Sequence, residues 1–268
     1  MTGILLGQSG LGVDVQVRSA TAVLTPHVQS IEQTLRDPNL TSDVEAFGEL
    51  LSISLLAIAQ LSKGWQKNPP EELQRVLTAA MAVCRNVIVA LPMSPLVRNS
   101  TSVLLQRMIL SLGHLVLEFL PGFLAPLISY CTLEEDVLDC SQLINQTCIK
   151  FKDGACPALD SSVVIFLQKV MAIQLHDADG TSGSDSLPPH LLTEQLSIRK
   201  QAFSTLHHIV TNKATAVLYS DANIGSLNDV LKLMVDGAVT VPGRWQTEKI
   251  DTYFVLRRLK YSLSQTLS

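Results

Sequence analysis

Residues 94–131 read SPLVRNSTSVLLQRMILSLGHLVLEFLPGFLAPLISYC, and this stretch decides the fold class. Between Val103 and Leu120 most residues are apolar. Apart from Gln106, the polar positions are Arg107, Ser111, His114 and Glu118, spaced four, three and four. On an α-helix that spacing gathers them into one narrow stripe and leaves the rest of the circumference apolar. Such a helix has to be covered by other helices on most sides. The sequence therefore predicts a long inner helix over Val103–Leu120, stopped by Pro121-Gly122, with His114 packed between helices. A shorter apolar segment broken at Pro126 follows it.

Working outward, the same periodicity recurs on both sides. From Asp14 to Arg36, Val17, Leu24, Val28, Ile31 and Leu35 fall at helical spacing, with a kink expected at Pro26. Asp37-Pro-Asn is a turn. Ser42 with Glu45 three residues on reads as a capping box, and Val44, Phe47, Leu51, Leu55 and Ile58 form the apolar seam of the helix that follows. Lys63–Pro70 is a loop, and a third helix with Glu71 and Glu72 in its first turn runs to Leu91. Thr132 to Lys152 reads as the clearest single element. Thr132 is its predicted cap, with acidic residues at 134–136, and Val137, Cys140, Ile144, Cys148 and Phe151 form its stripe.

Pro157 starts a further helix predicted to reach His176. A polar loop (177–190) comes next, and helices resume over Leu192–Val210, Ala214–Tyr219, Leu227–Val239 and Thr247–Leu263. No stretch alternates in the manner of a strand. Helix pairs of roughly forty residues joined by short turns are the habit of α-solenoids. The fold reading is all-α, an α-solenoid of HEAT-like antiparallel helix pairs. A compact helical bundle is the structural alternative. Residues 1–268 are taken as a single solenoid segment, and the opening GILLGQSGLG, which reads as the tail of a helix, carries the expectation that chain is missing upstream.

Composition narrows the function classes. The chain is 47% apolar with a net charge of −4, so any nucleic-acid binding would rest on a local patch. Five cysteines without a C-x-x-C pair argue for buried free thiols in a reducing compartment. Met1-Thr2-Gly3 does not open a secretory leader, and no window offers a charge-free apolar run of spanning length. A soluble intracellular protein without membrane insertion is the expectation.

Enzyme signatures do not emerge. Gly7-Gln-Ser-Gly-Leu-Gly has its glycines in the wrong order for a dinucleotide loop. His207-His208 are adjacent on a helix and point to different faces, and the carboxylates at 134–136 belong to a helix first turn. Asp177-Ala-Asp-Gly lacks the later ligands of a calcium loop. No catalytic residue, metal site or cofactor is assigned.

Positive charge gathers in one place. Arg244, Lys249, Arg257, Arg258 and Lys260 face only Glu248 and Asp251, with Trp245 and Tyr261 nearby as stacking groups. This strip is the candidate surface for phosphate, and a solvated helix end is its bland alternative. Lys63/Lys67 and Lys150/Lys152 are weaker candidates.

The segment from Leu104 to Lys152 resembles the exportin-T family of transfer-RNA export receptors. The matching residues are Arg107-Met108-Ile109, Phe119-Leu120-Pro121, Leu143-Ile144-Asn145-Gln146 and Lys150-Phe151-Lys152. Thr2-Gly3-Ile4-Leu5 and Leu24-Thr25-Pro26 resemble an earlier family segment. Arg199-Lys200-x-x-Phe203, Asp229-Val230-Leu231 and Asp236-Gly237-Ala238-Val239 resemble a later one. The resemblance runs in order along nearly the whole chain. It implies a HEAT-repeat superhelix that wraps tRNA together with Ran GTPase in its GTP form. Such a receptor passes nuclear pore proteins and shuttles between nucleus and cytoplasm. It places this sequence in the C-terminal half of a longer receptor. A protein-binding helical scaffold, such as another importin-β-like receptor without RNA binding, is the second function class.

Overall fold

A computed structural model describes residues 10–65, 69–173 and 189–239. Helices dominate, and no strand occurs among the described residues. The chain divides into two compact units, Met1–Tyr130 and Cys131–Ser268.

Unit 1 contains α1 (Val13–Leu35), α2 (Val44–Ser62), α3 (Glu71–Ala90), α4 (Pro95–Leu112), a 3-10 turn (Gly113–Glu118) and α5 (Leu120–Ser129). α1 packs on α2 and α3, α2 on α4, and α3 on α4 and α5. Each helix therefore stacks on the next but one, making two layers. α1, α3 and α5 form one layer, and α2 and α4 the other. Contact with the nearest repeat only, layer by layer, is the packing of a helical-repeat solenoid. Short turns make neighbours antiparallel and like-layered helices parallel. Two contacts fix this register. Gly48 near the start of α2 lies against Ser94 and Val97 at the start of α4. At the other end Ser111 Oγ donates to the Ser62 carbonyl at 3.1 Å.

The predicted seam of α2 is present, with Leu51, Leu55 and Ile58 fully buried and Val44 and Phe47 half-buried. Leu24 and Ile31 of α1 point into the same core, and α1 remains one helix through Pro26. The cap of α2 differs from expectation. The helix starts at Val44, so the residue positioned to cap is Asp43, whose carboxylate accepts from Ala46 N–H at 3.1 Å. That carboxylate also places negative charge at the positive end of the helix dipole, which Ser42 could not.

The organising stretch is the main correction. Instead of one helix over Val103–Leu120, α4 ends at Leu112, because Gly113 adopts φ 57° and ψ −133°. That conformation is open to glycine and costly for any residue with a β-carbon. The turn then unwinds to 3-10 geometry, and Pro121 does not stop a helix but sits in the first turn of α5, where its missing N–H costs nothing. The break rotates the polar stripe apart. Ser111 stays buried, while His114 and Glu118 are exposed, so the inter-helix reading of His114 is overturned.

By length and composition alone, three helical stretches could cross a membrane: Val44–Ser62, Glu71–Ala90 and Pro95–Glu118. None is charge-free, since they carry Glu45 and Glu49, Glu71 and Arg75, and Arg98 and Arg107 respectively. Arg98 is 6% exposed and donates to the carbonyls of Pro92 and Met93, each at 3.0 Å, so its charge closes the α3–α4 turn.

Unit 2 contains α6 (Glu134–Phe151), a 3-10 turn (Lys152–Ala155), α7 (Cys156–Leu159), α8 (Val163–Ala172), α9 (Pro189–Thr211), a 3-10 turn (Thr215–Leu218) and α10 (Ile224–Val239). α6 packs on α9, α8 on α9 and α10, so next-but-one stacking recurs. Every residue of the predicted α6 stripe is buried. Thr132 is not its cap. The helix begins at Glu134 after extended Leu133 with no side-chain cap, and the acidic first turn serves that end instead.

The helix predicted from Pro157 to His176 is divided. α7 is one turn, and the path from α6–α7 into α8 bends by 91°. Asn223, 5% exposed, sustains the break by donating to the carbonyls of Asp160 (2.7 Å) and Val217 (2.8 Å). Ala214–Tyr219, predicted helical, is a 3-10 turn. The 177–190 loop, except its last two residues, and the Thr247–Leu263 helix lie outside the described residues.

Candidate nucleic-acid interface

The five predicted contact residues, Arg244, Lys249, Arg257, Arg258 and Lys260, lie outside the described residues, as do Trp245, Tyr261 and Lys67. Of the weaker candidates, Lys63 is half-buried just past α2, and Lys150 and Lys152 are exposed at the end of α6. A lysine at a helix C-terminus meets the negative end of the dipole.

Unit 2 supplies the frame for that end. α6 and α9 are joined by a polar ladder. Ser197 Oγ donates to the Glu134 carboxylate. One helical stretch further on, the Ser141 and Thr205 hydroxyls pair at 2.9 Å, both fully buried. Asn145 Nδ2 then reaches Ser141 Oγ (3.3 Å) and Ser204 Oγ (3.5 Å). Beyond the helix ends, Cys156 Sγ donates to the Ala214 carbonyl at 3.5 Å. These partners are 63, 64, 59 and 58 residues apart, a nearly constant offset that only parallel helices produce. In unit 1 the corresponding tie between parallel helices, Ser111 to Ser62, spans 49 residues. Both offsets exceed the roughly forty residues expected of a helix pair. Most of unit 2's excess falls in the chain between α8 and α9, where the sequence places the polar loop.

The stacking of α6 on α9 brings up a position that sequence reasoning missed. Lys213 is exposed in the turn after α9, as Lys152 is in the turn after α6. No periodic signal marks it, because a residue just past a helix end takes no part in the apolar stripe.

The remaining chemistry is muted. All five cysteines are free thiols, four of them buried and Cys156 half-buried. Burial pushes Cys84 and Cys148 up to about 12. The neighbouring Cys131 thiol, then burial, raises Cys140, and burial raises Cys156. These four thus stay protonated at neutral pH and offer no thiolate nucleophile. His207 and His208 meet edge-to-face with ring centroids 5.8 Å apart. Burial, and then the His207 charge, lowers the pKa of His208.

An all-helical chain of parallel-stacked layers, without a described catalytic cluster and with lysines on its helix ends, belongs to the class of helical-repeat proteins. The family follows from comparison. A sequence model of the Exportin-T family matches residues 1–264, and the chain belongs to that family. It is 24% identical over 242 residues to Exportin-T of Oryza sativa subsp. japonica, covering 87% of this chain and 24% of the relative. Exportin-T of Arabidopsis thaliana is 22% identical over 250 residues, with 87% and 24% covered. Exportin-T of Pongo abelii is 28% identical over 149 residues, with 55% and 14% covered. The chain spans about a quarter of the length of the first two relatives.

Proposed function

We propose that this chain is part of a nuclear export receptor that binds tRNA together with Ran GTPase in its GTP form and carries it from nucleus to cytoplasm. The observation that carries the reading is the family match over residues 1–264. Stacked helical layers support it physically, because each repeat touches only its neighbours and the stack can flex around a large cargo. On this reading residues 1–268 are one segment of the receptor's solenoid, acting without catalysis or a cofactor. It meets nuclear pore proteins in transit and does not insert in a membrane.

RNA of fixed shape is held by scattered Lys and Arg contacts to phosphate rather than by a base-reading motif. Arg244, Lys249, Arg257, Arg258 and Lys260 are the proposed tRNA contacts. Their role is compatible with a net charge of −4, since local charge and not the total meets the phosphates.

The test is a titration of folded tRNA into the chain, with and without GTP-loaded Ran, at low and physiological salt. Binding that Ran strengthens and that Arg257→Glu with Arg258→Glu abolishes is the expected result. Absence of RNA binding with retained binding to a protein or GTPase surface would overturn it in favour of a protein-only helical scaffold.

A further inference from the structure

Only two residues other than glycine have positive φ among the described residues, and both are lysines of unit 2: Lys152 at 53° and Lys213 at 63°. Their placement is not independent. Lys152 follows the last residue of α6, its N–H bonded to the Cys148 carbonyl, with ψ −128°. Lys213 follows α9. There Ala214 N–H reaches back to the Ile209 carbonyl at 2.9 Å, and Asn212 N–H to that of His208 at 3.0 Å. That six-residue closure places Lys213 at the left-handed position where helices ordinarily end on glycine. The two lysines lie 61 residues apart, each in the turn that follows one of the stacked helices α6 and α9. The Cys156–Ala214 hydrogen bond joins their two turns directly.

Glycine would serve the backbone better at both places. Unit 1 uses it: Gly113 closes α4 at φ 57° and ψ −133°, nearly the geometry of Lys152. Backbone strain held by a bulky residue is a mark of side-chain function. What these side chains share is an exposed ammonium on a flexible stem at the rim of one unit. Packed helices lie about 8–10 Å apart, so the two ammoniums can reach phosphates close together on one strand. Asp153, exposed next to Lys152, offsets part of this charge, so the contact is made by two point charges rather than by a broad positive field.

We propose that Lys152 and Lys213 form a paired contact for the phosphodiester backbone of RNA, in addition to the Arg244–Lys260 strip. The inference rests on the tRNA-binding reading and extends it to unit 2. The lysines grip phosphate without reading sequence, and their strained backbone holds both stems on the same rim.

The experiment measures folded tRNA binding to the full chain by fluorescence anisotropy across a salt series, with GTP-loaded Ran present. Lys152→Gly with Lys213→Gly relieves the backbone and removes both charges. The expected result is binding weaker by roughly tenfold and a log–log salt slope shallower by about 2, one per lost phosphate contact, with melting temperature unchanged or raised. Lys152→Gln with Lys213→Gln, which keeps the backbone demand, should weaken binding equally. The double arginine variant should retain it, and Asp153→Asn should tighten it. Unchanged affinity and slope in both neutral variants, while wild type binds, would overturn this inference and leave the export-receptor reading standing. No binding by wild type at any salt would overturn both.

Discussion

The two stacked helix pairs α2/α4 and α6/α9 solve the same geometric problem with opposite chemistry. In unit 1 the parallel helices meet through absence: Gly48 has no side chain, and a β-carbon there would sit 2.5 Å from Ser94 Oγ. Close approach lets apolar side chains such as Leu51, Leu55, Leu104 and Met108 fill the core around it. In unit 2 the helices meet through a ladder of hydroxyls and an amide, Ser141, Thr205, Asn145 and Ser204. A tight apolar seam gains from packing, whereas a buried polar ladder fixes register, because a slipped helix would leave several donors unpaired. The helix ends differ in the same spirit. α4 ends on a glycine, α6 and α9 on lysines, in backbone conformations that glycine suits best.

The largest expected effect breaks the unit 1 seam. Gly48→Val forces a branched side chain into Ser94, whose hydroxyl also caps α4 through Val97 N–H at 3.4 Å. Urea denaturation should register a loss of about 2–3 kcal/mol, the cost of overpacking. A variant as stable as wild type would mean that α2 and α4 are not in close contact.

In unit 2 the ladder is tested by a double-mutant cycle. Ser141→Ala alone strands the buried Thr205 hydroxyl and should cost about 1–2 kcal/mol, while adding Thr205→Val should recover most of it. Additive single effects would show that the hydroxyls do not pair. The helix ends provide a smaller, signed test. Gly113→Ala meets no atom within 4 Å, so its penalty of about 1 kcal/mol comes from backbone conformation alone. Lys152→Gly should stabilise by a similar amount, and thermal melts of the pair should move in opposite directions.

The smallest effect concerns His208. Its folded pKa lies below the ordinary histidine value of 6.5, chiefly through burial. The unfolded chain therefore binds the proton more readily, and stability contributed by neutral His208 is present above that value. It is lost as pH falls from about 6.5 toward the folded pKa. Half-buried histidine gives a shallow slope. Comparing wild type with His208→Gln from pH 7.5 to 5.5 should find that slope reduced in the variant, and identical profiles would remove the histidine from the account.

What was readable in the sequence was whatever repeats with the helical period. The buried stripe Val137, Cys140, Ile144, Cys148 and Phe151 was fully legible, and so were Leu51, Leu55 and Ile58 of α2, because one-sided burial writes itself into spacing. The ends were less so. Ser42 and Asp43 are both good caps, and only the start of the helix at Val44 selects Asp43. The stretch 94–131 looked continuous because apolar periodicity passes through Gly113 unchanged, yet one left-handed residue cut it in two. Of the candidate site, the Arg244–Lys260 strip was legible as charge along the chain. The shared backbone conformation of Lys152 and Lys213 was not, since it is set in turns 61 residues apart.

The sequence by itself determined the helical class, the inward faces and the family resemblance, because these follow from local period and from residues compared in order. Tertiary structure decided where helices break, which hydroxyls pair, and that α6 and α9 are each followed by a lysine of positive φ. Those outcomes depend on contacts between segments far apart in the chain, whose energies no local window contains.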